Sequence, residues 1–320
     1  MAYVTPTTRA DGYVVDASEW NKNTVDNPIA LKALIDAAVP LDVVCGRLSL
    51  TTAVPVTTAD VTAATTLYYA LYQGNRISLY SGSAWILSTI AELSIAVPAT
   101  TNQMYDVFVD YNDGTPALAV TAWTNDTTRA TALTTQNGVY VKTGDTQQRY
   151  VGTFRTTGVS GQTEDSFAKR LVWNHYHRVS RPLRVSEATN SWAYSTAAFQ
   201  QANASTANQL AFVVGVAEDA IEAMVQGLVS NSAGSPAGAV AIGLDATNAA
   251  ATGCLRTHTS AVGGAGAILT PLASLRTVPA IGYHFLAWLE YDATGAGTTT
   301  WYGDNGGSVL QSGIHGMWRA

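Results

Sequence analysis

The densest concentration of chemistry-bearing side chains in this 320-residue chain is Trp173-Asn174-His175-Tyr176-His177, set between Lys169-Arg170 and Arg178, Arg181 and Arg184. Alternate residues of a strand share a face, so strand spacing would aim His175 and His177 the same way. Copies arranged about a symmetry axis could then offer three such pairs to a metal ion. Against this, two histidines with no cysteine or clustered carboxylate nearby are ordinarily plain polar residues. Arginine heads gathered at one place ordinarily pair with acidic groups across a joint. The second reading is adopted: His175, His177, Arg178, Arg181 and Arg184 are expected at an inter-domain or inter-subunit joint, with no metal site.

Other constellations carry less chemistry. Glu218, Asp219 and Glu222 could be taken for a glycosidase pair. Such a pair must face each other across a sugar, roughly 5 to 9.5 Å apart, which neighbours in one segment do not supply. Asp106, Asp110 and Asp113 lack the closing Glu of a calcium loop. Gly303-Asp304-Asn305-Gly306-Gly307 is a turn, and Gly263-Gly264-Ala265-Gly266 does not open a helix after a strand as a nucleotide loop would. Ser, His and Asp all occur, but without a Gly-x-Ser-x-Gly elbow. Trp192, Tyr194, Trp301, Tyr302 and Trp318 could stack on sugars, although most such rings fill cores or axes. No catalytic, cofactor-binding or metal residue is therefore expected, and the chain reads as a non-enzyme.

Composition narrows the class further. Charged residues make up 12% of the chain and hydrophobic ones 47%, about half the usual charged share of roughly 25%. This suits a surface hidden against copies of itself, since interface centres are poor in charge. A net charge of -6 with seventeen scattered Lys plus Arg argues against nucleic-acid binding. No uninterrupted apolar run is long enough for a membrane helix, and the beginning from Met1 to Arg9 does not read as a secretion signal. Cys45 and Cys254 lie far apart and read as two unpaired thiols.

The elements that must position these residues are nearly all strands. Only the first forty residues carry helical signals. Asp16 and Glu19 form a capping box, Asn27-Pro28 restarts the pattern, and Leu31, Leu34 and Ile35 make an apolar stripe. Two helices this short cannot stand alone, so residues 1–40 are expected to be a docking arm acting through Trp20, Ile29, Leu31, Leu34 and Ile35. Residues 41–185 are expected to form a central antiparallel β-sandwich or barrel with its linker. Its turns are marked by Asn112-Asp113-Gly114 and Gln136-Asn137-Gly138. Lys169 to Val185 reads as the connection, broken at Arg181-Pro182. Residues 186–320 form the third domain, with strands expected near Gln209–Val216, Ile221–Ser230, Gly238–Leu244, Ala267–Leu272, Gly282–Asp292, Thr298–Tyr302 and Ser312–Trp318.

The segment from Arg47 to Trp173 contains Tyr68-Tyr69, Gly74-Asn75-Arg76-Ile77, Tyr105-Asp106-Val107-Phe108, Ala122-Trp123-Thr124-Asn125-Asp126 and Gly152-Thr153-Phe154-Arg155-Thr156-Thr157. It resembles a module of tailed-bacteriophage virion proteins. Val15 to Asn21 and Asp26-Asn27-Pro28-Ile29 look like the leading segment of phage tail-fibre and head-decoration proteins. The last domain, with Ala287-Trp288-Leu289-Glu290-Tyr291 and Ser312-Gly313-Ile314-His315-Gly316, is similar to trimeric jelly rolls of the tumour-necrosis-factor-like kind. The resemblance implies a homotrimeric virion appendage assembled in a bacterial host. Its arm would dock to other virion proteins of capsid or tail, and its crown would decorate the particle or contact a host-surface glycan. Two rival classes are a carbohydrate-degrading adhesin and a lectin unconnected with phage.

Overall fold

A computed structural model describes residues 17–21, 27–31, 40–233, 238–259, 265–292, 297–307 and 309–320. The protein is mainly β, with sheets that are almost wholly antiparallel. Ala17–Asn21 is helical, as are residues 27–31. Asp16, Leu34, Ile35 and the side chain of Glu19, to which the capping and stripe expectations also refer, lie outside what is described.

The central region curls two sheets around one core. Arg47–Ser49, Thr66–Ala70 and Leu93–Ala96 form the first. In the second, Asp145–Arg155 pairs with Met104–Asp110 along one edge and with Val139–Lys142 and Val172–Asn174 along the other. Ala117–Ala122 and Leu133–Gln136 flank this group. The seam between Arg47–Ser49 and Val172–Asn174 is closed by a side chain. The Asn174 amide accepts from Leu48 N–H at 2.6 Å and donates to the Leu48 carbonyl at 3.3 Å, standing in for a strand partner. The Asn137-Gly138 hairpin forms as the dipeptide dictates. Both residues have positive φ, 53° and 84°, and Gln136 faces Val139 across it.

Met104–Asp110 is buried along nearly its whole length because its two faces serve two cores. Tyr105, Val107 and Val109 point into the barrel with Leu48, Leu67 and Phe154. Met104 and Phe108 point the other way, into a larger core holding Trp173, Phe212, Trp288 and Trp318. Tyr150 and Val151 divide in the same manner, so central and C-terminal residues share one interior.

The C-terminal strands have the order of a jelly roll. One sheet runs Ser180–Ser186, Gly313–Arg319, Ile221–Gln226, Leu272–Thr277, so that first and last strands are neighbours. Facing it, Gln209–Val214, Gly282–Asp292 and Gly238–Leu244 lie side by side. Leu255–Arg256 bridges the layers, pairing with Leu272–Thr277 while His258 meets Ala239. The second sheet continues past Gln209–Val214 into Lys169–Arg170, Thr163–Asp165 and Val61–Ala64, all from the central region.

Three elements differ from their expected course. Ser180–Ser186 is a strand rather than a connection. It is the edge of its sheet, paired only with Gly313–Arg319, and an edge tolerates the missing N–H of Pro182. The expected Ile221–Ser230 is two strands, Ile221–Gln226 and Leu228–Asn231, which enter different sheets across Gly227. A Cβ on Gly227 would come within 2.8 Å of Val240. The strand expected at Ala267–Leu272 begins where that segment ends and runs Leu272–Thr277, after Pro271.

Candidate functional site

The cluster around His175 lies where barrel and jelly roll meet. Arg178 donates to Asp219 at 2.6 Å and Glu218 at 2.7 Å, so the carboxylates with a glycosidase-like spacing are an arginine's partners. Arg181, almost fully buried, donates to Thr57 at 2.9 Å and Asp165 at 2.8 Å, and Arg170 reaches the other oxygen of Asp165 at 3.0 Å. Arg47 donates to the carbonyls of Pro55, His177 and Ala320. Burial, with Arg181 nearby, pulls its guanidinium down to about 10.

The two histidines do not converge. Residues 175–177 bend rather than extend, and His177 sits at φ 52°, so the same-face argument loses its premise. The His177 ring donates to the Val44 carbonyl. The His175 ring is packed among Tyr140, Tyr150, Trp173 and Tyr176. Burial drives its pKa down to about 4. Among the described residues no His, Cys, Asp and Glu group of three or more could hold a metal ion.

Sequence reasoning missed two buried polar assemblies. In the first, Arg129 pairs with Asp106 at 2.6 and 3.1 Å, lies 4.5 Å from the centre of the Trp123 ring, and donates to the Gly215 carbonyl at 2.7 Å. Thr153 donates to Asp106 and shares a 2.6 Å hydrogen bond with Tyr150. Asp106 is thus committed inside the fold, away from Asp110, which accepts from Asn112 N–H and Gln148. In the second, Glu290 accepts from Trp192 at 2.7 Å, Gln200 at 2.7 Å and Asn203 N–H at 3.2 Å. Its neighbour Glu187 accepts from Thr189 N–H, Asn208 and Asn203. Burial lifts Glu290 to about 7. Glu187 is also pushed up by burial, but its hydrogen bonds outweigh this and hold it below the usual carboxylate range. Opposed shifts in adjacent carboxyls are what an acid and base pair shows. Here, however, both groups are buried and each already accepts from several donors.

Of the aromatic candidates, Trp301 and Trp318 are fully buried, while Trp192, Tyr194 and Tyr302 are half-buried. Cys45 and Cys254 are both free thiols, buried and half-buried respectively. On the arm, half or more of Trp20, Ile29 and Leu31 is exposed. The outer face of the jelly-roll sheet containing Ser180–Ser186 also leaves apolar side chains in solvent. Met224 is 41% exposed, Met317 45% and Leu255 74%. They line a groove of about 510 Å³ together with Glu222, Arg276 and His315.

No family profile and no curated protein matches the chain. Among solved structures, it is similar to the insecticidal delta-endotoxin Cry8Ea1 from Bacillus thuringiensis, at 5% identity over 87% of this chain and 52% of that one, with a TM-score of 0.27. It is also similar to the mosquito-larvicidal Cry4Aa toxin from Bacillus thuringiensis, at 8% identity over 83% and 50% of the two chains, with a TM-score of 0.22. The chain spans about half the length of these structures. At such scores the likeness carries no argument.

Proposed function

We propose that the protein is a non-enzymatic structural component of a bacteriophage virion, a homotrimeric appendage rooted by its N-terminal arm with its jelly roll outward as tail fibre or capsid decoration. The observation that carries this reading is where apolar surface is left uncovered. Trp20, Ile29 and Leu31 are exposed at one end of the chain, while Met224, Met317 and Leu255 are exposed on the crown. The interior carboxylates and arginines, by contrast, bind one another or backbone groups. A body of this kind has surfaces for assembly, and its buried polar groups serve to hold it together.

The root is tested by particles assembled with the full chain carrying Ile29→Asp and Leu31→Asp. Both side chains point to solvent, so the variant should fold and self-associate as the parent does, yet be missing from purified particles. Undiminished incorporation would remove the arm from the docking role. Release of reducing ends from host polysaccharide by the parent chain, abolished by replacing a single carboxylate, would overturn the non-enzymatic reading.

A further inference from the structure

We propose that copies of this chain pack head to tail through the outer face of the sheet containing Ser180–Ser186, with Arg184 receiving a carboxylate from the neighbouring copy. This rests on the trimeric reading above and specifies its contact.

The argument begins with the arginines of the joint. Arg170, Arg178 and Arg181 each reach a carboxylate of their own chain. Among the described residues Arg184 reaches none. Its guanidinium is steadied 4.8 Å from the centre of the Phe167 ring, with its edges open. Strand register then places it at the end of a straight row across the face. Arg184 stands opposite His315, His315 opposite Met224, Met224 opposite Ser274, and Ser274 opposite Leu255. At about 4.8 Å between strands the row is about 19 Å long. A second groove of about 220 Å³, lined by Arg184, Ser186, Gln226 and Gln311, meets the larger one at His315, so the concavity follows the row from end to end.

Chemistry selects the occupant. Interface centres are enriched in Met and Arg and poor in Lys, Glu and Asp. This face carries Met224, Met317, Arg184, Arg276 and Arg319, with Glu222 as the acid on these strands, 3.2 Å from Arg276. The row contains no Trp, Tyr or Phe on which a sugar could stack, so a polypeptide surface fits better than a glycan. Two copies meeting by this same face would set arginines against arginines. The chain as a whole is acidic, with a net charge of -6, so complementary charge lies on its other surfaces. Contact between unlike surfaces is heterologous and propagates into a ring when the rotation closes. A closed trimer satisfies this condition, whereas a two-fold dimer through the face does not.

The test measures mass by sedimentation and light scattering across a dilution series of the full chain. The parent should be a trimer. Arg184→Glu and Met224→Glu should each raise the dissociation constant at least tenfold while circular dichroism stays unchanged, and Val54→Glu on the barrel should leave it alone. Peroxide oxidation of the unaltered protein gives a reading without variants. Met224 and Met317 should oxidise more slowly at concentrations where the chain is assembled than where it is dilute. A trimeric parent whose variants associate as tightly, with both methionines oxidising at one rate throughout, overturns this contact and leaves the appendage reading intact. A parent that is monomeric at every concentration overturns both, and a two-fold dimer overturns the ring.

Discussion

At the residue scale, Glu290 and His175 bend stability with pH in opposite senses. The Glu290 carboxyl is buried and its pKa is raised to about 7. The folded state therefore keeps a proton that the unfolded chain gives up near its model value of 4.5. Its contribution is complete below 4.5 and is lost as pH rises through 7. Over that span the linkage amounts to about 3 kcal/mol. His175 works the other way. Its pKa is lowered from 6.5 to about 4, so its contribution is present above 6.5 and is lost as pH falls through 4. Together they give a dome. Glu290→Gln should remove the neutral side of it. The variant should be less stable than the parent at pH 5, because an amide N–H would then face the Trp192 N–H, but its stability should no longer fall between pH 5 and 8. Urea midpoints at both pH values read this directly, and an unchanged parent-like decline would assign the slope to another group.

At the element scale, Asn174 does work that a strand would otherwise do. Its amide satisfies both the N–H and the carbonyl of Leu48, where no backbone partner reaches. Asn174→Val should leave two buried groups unpaired and cost about 2 to 4 kcal/mol. Faster hydrogen exchange at the Leu48 amide would locate the loss, and unchanged protection there would refute the closure. Such a role is not legible in the sequence, since Asn174 sits inside the very motif that suggested histidine chemistry. What is legible follows local rules. Asn137-Gly138 dictates its hairpin, and the alternation of Gly282–Asp292 dictates its strand. The edge strand Ser180–Ser186 is hidden because Pro182 signals a break unless its place in the sheet is already known. The arginines of the joint are visible as a cluster. Their partners Thr57, Asp165 and Asp219 are not, because the chain brings them together from distant segments. The Glu187 and Glu290 pair is hidden for the same reason.

At the scale of the whole molecule, the barrel and the jelly roll hold each other up. Met104–Asp110 gives alternate side chains to two cores, and one sheet runs from Gly238–Leu244 across to Val61–Ala64. Unfolding either part strips a face from the other, so the described body should behave as one cooperative unit. The tightest point is Gly215, whose carbonyl accepts from Arg129 and whose missing side chain makes room for Tyr150 and Trp173. A Cβ there would overlap both rings. Because the rings belong to the barrel side and Gly215 to the jelly-roll side, the strain would fall on the junction and not on either core. Gly215→Ala should therefore cost about 1 to 3 kcal/mol. It should also separate two signals that coincide in the parent, tryptophan fluorescence and far-ultraviolet circular dichroism, when urea unfolding is followed at one fixed protein concentration. Coincident curves in the parent and divergent ones in the variant are the expected result. Two well-separated transitions in the parent would show that the shared interior couples the halves too weakly to bind them into one rigid body.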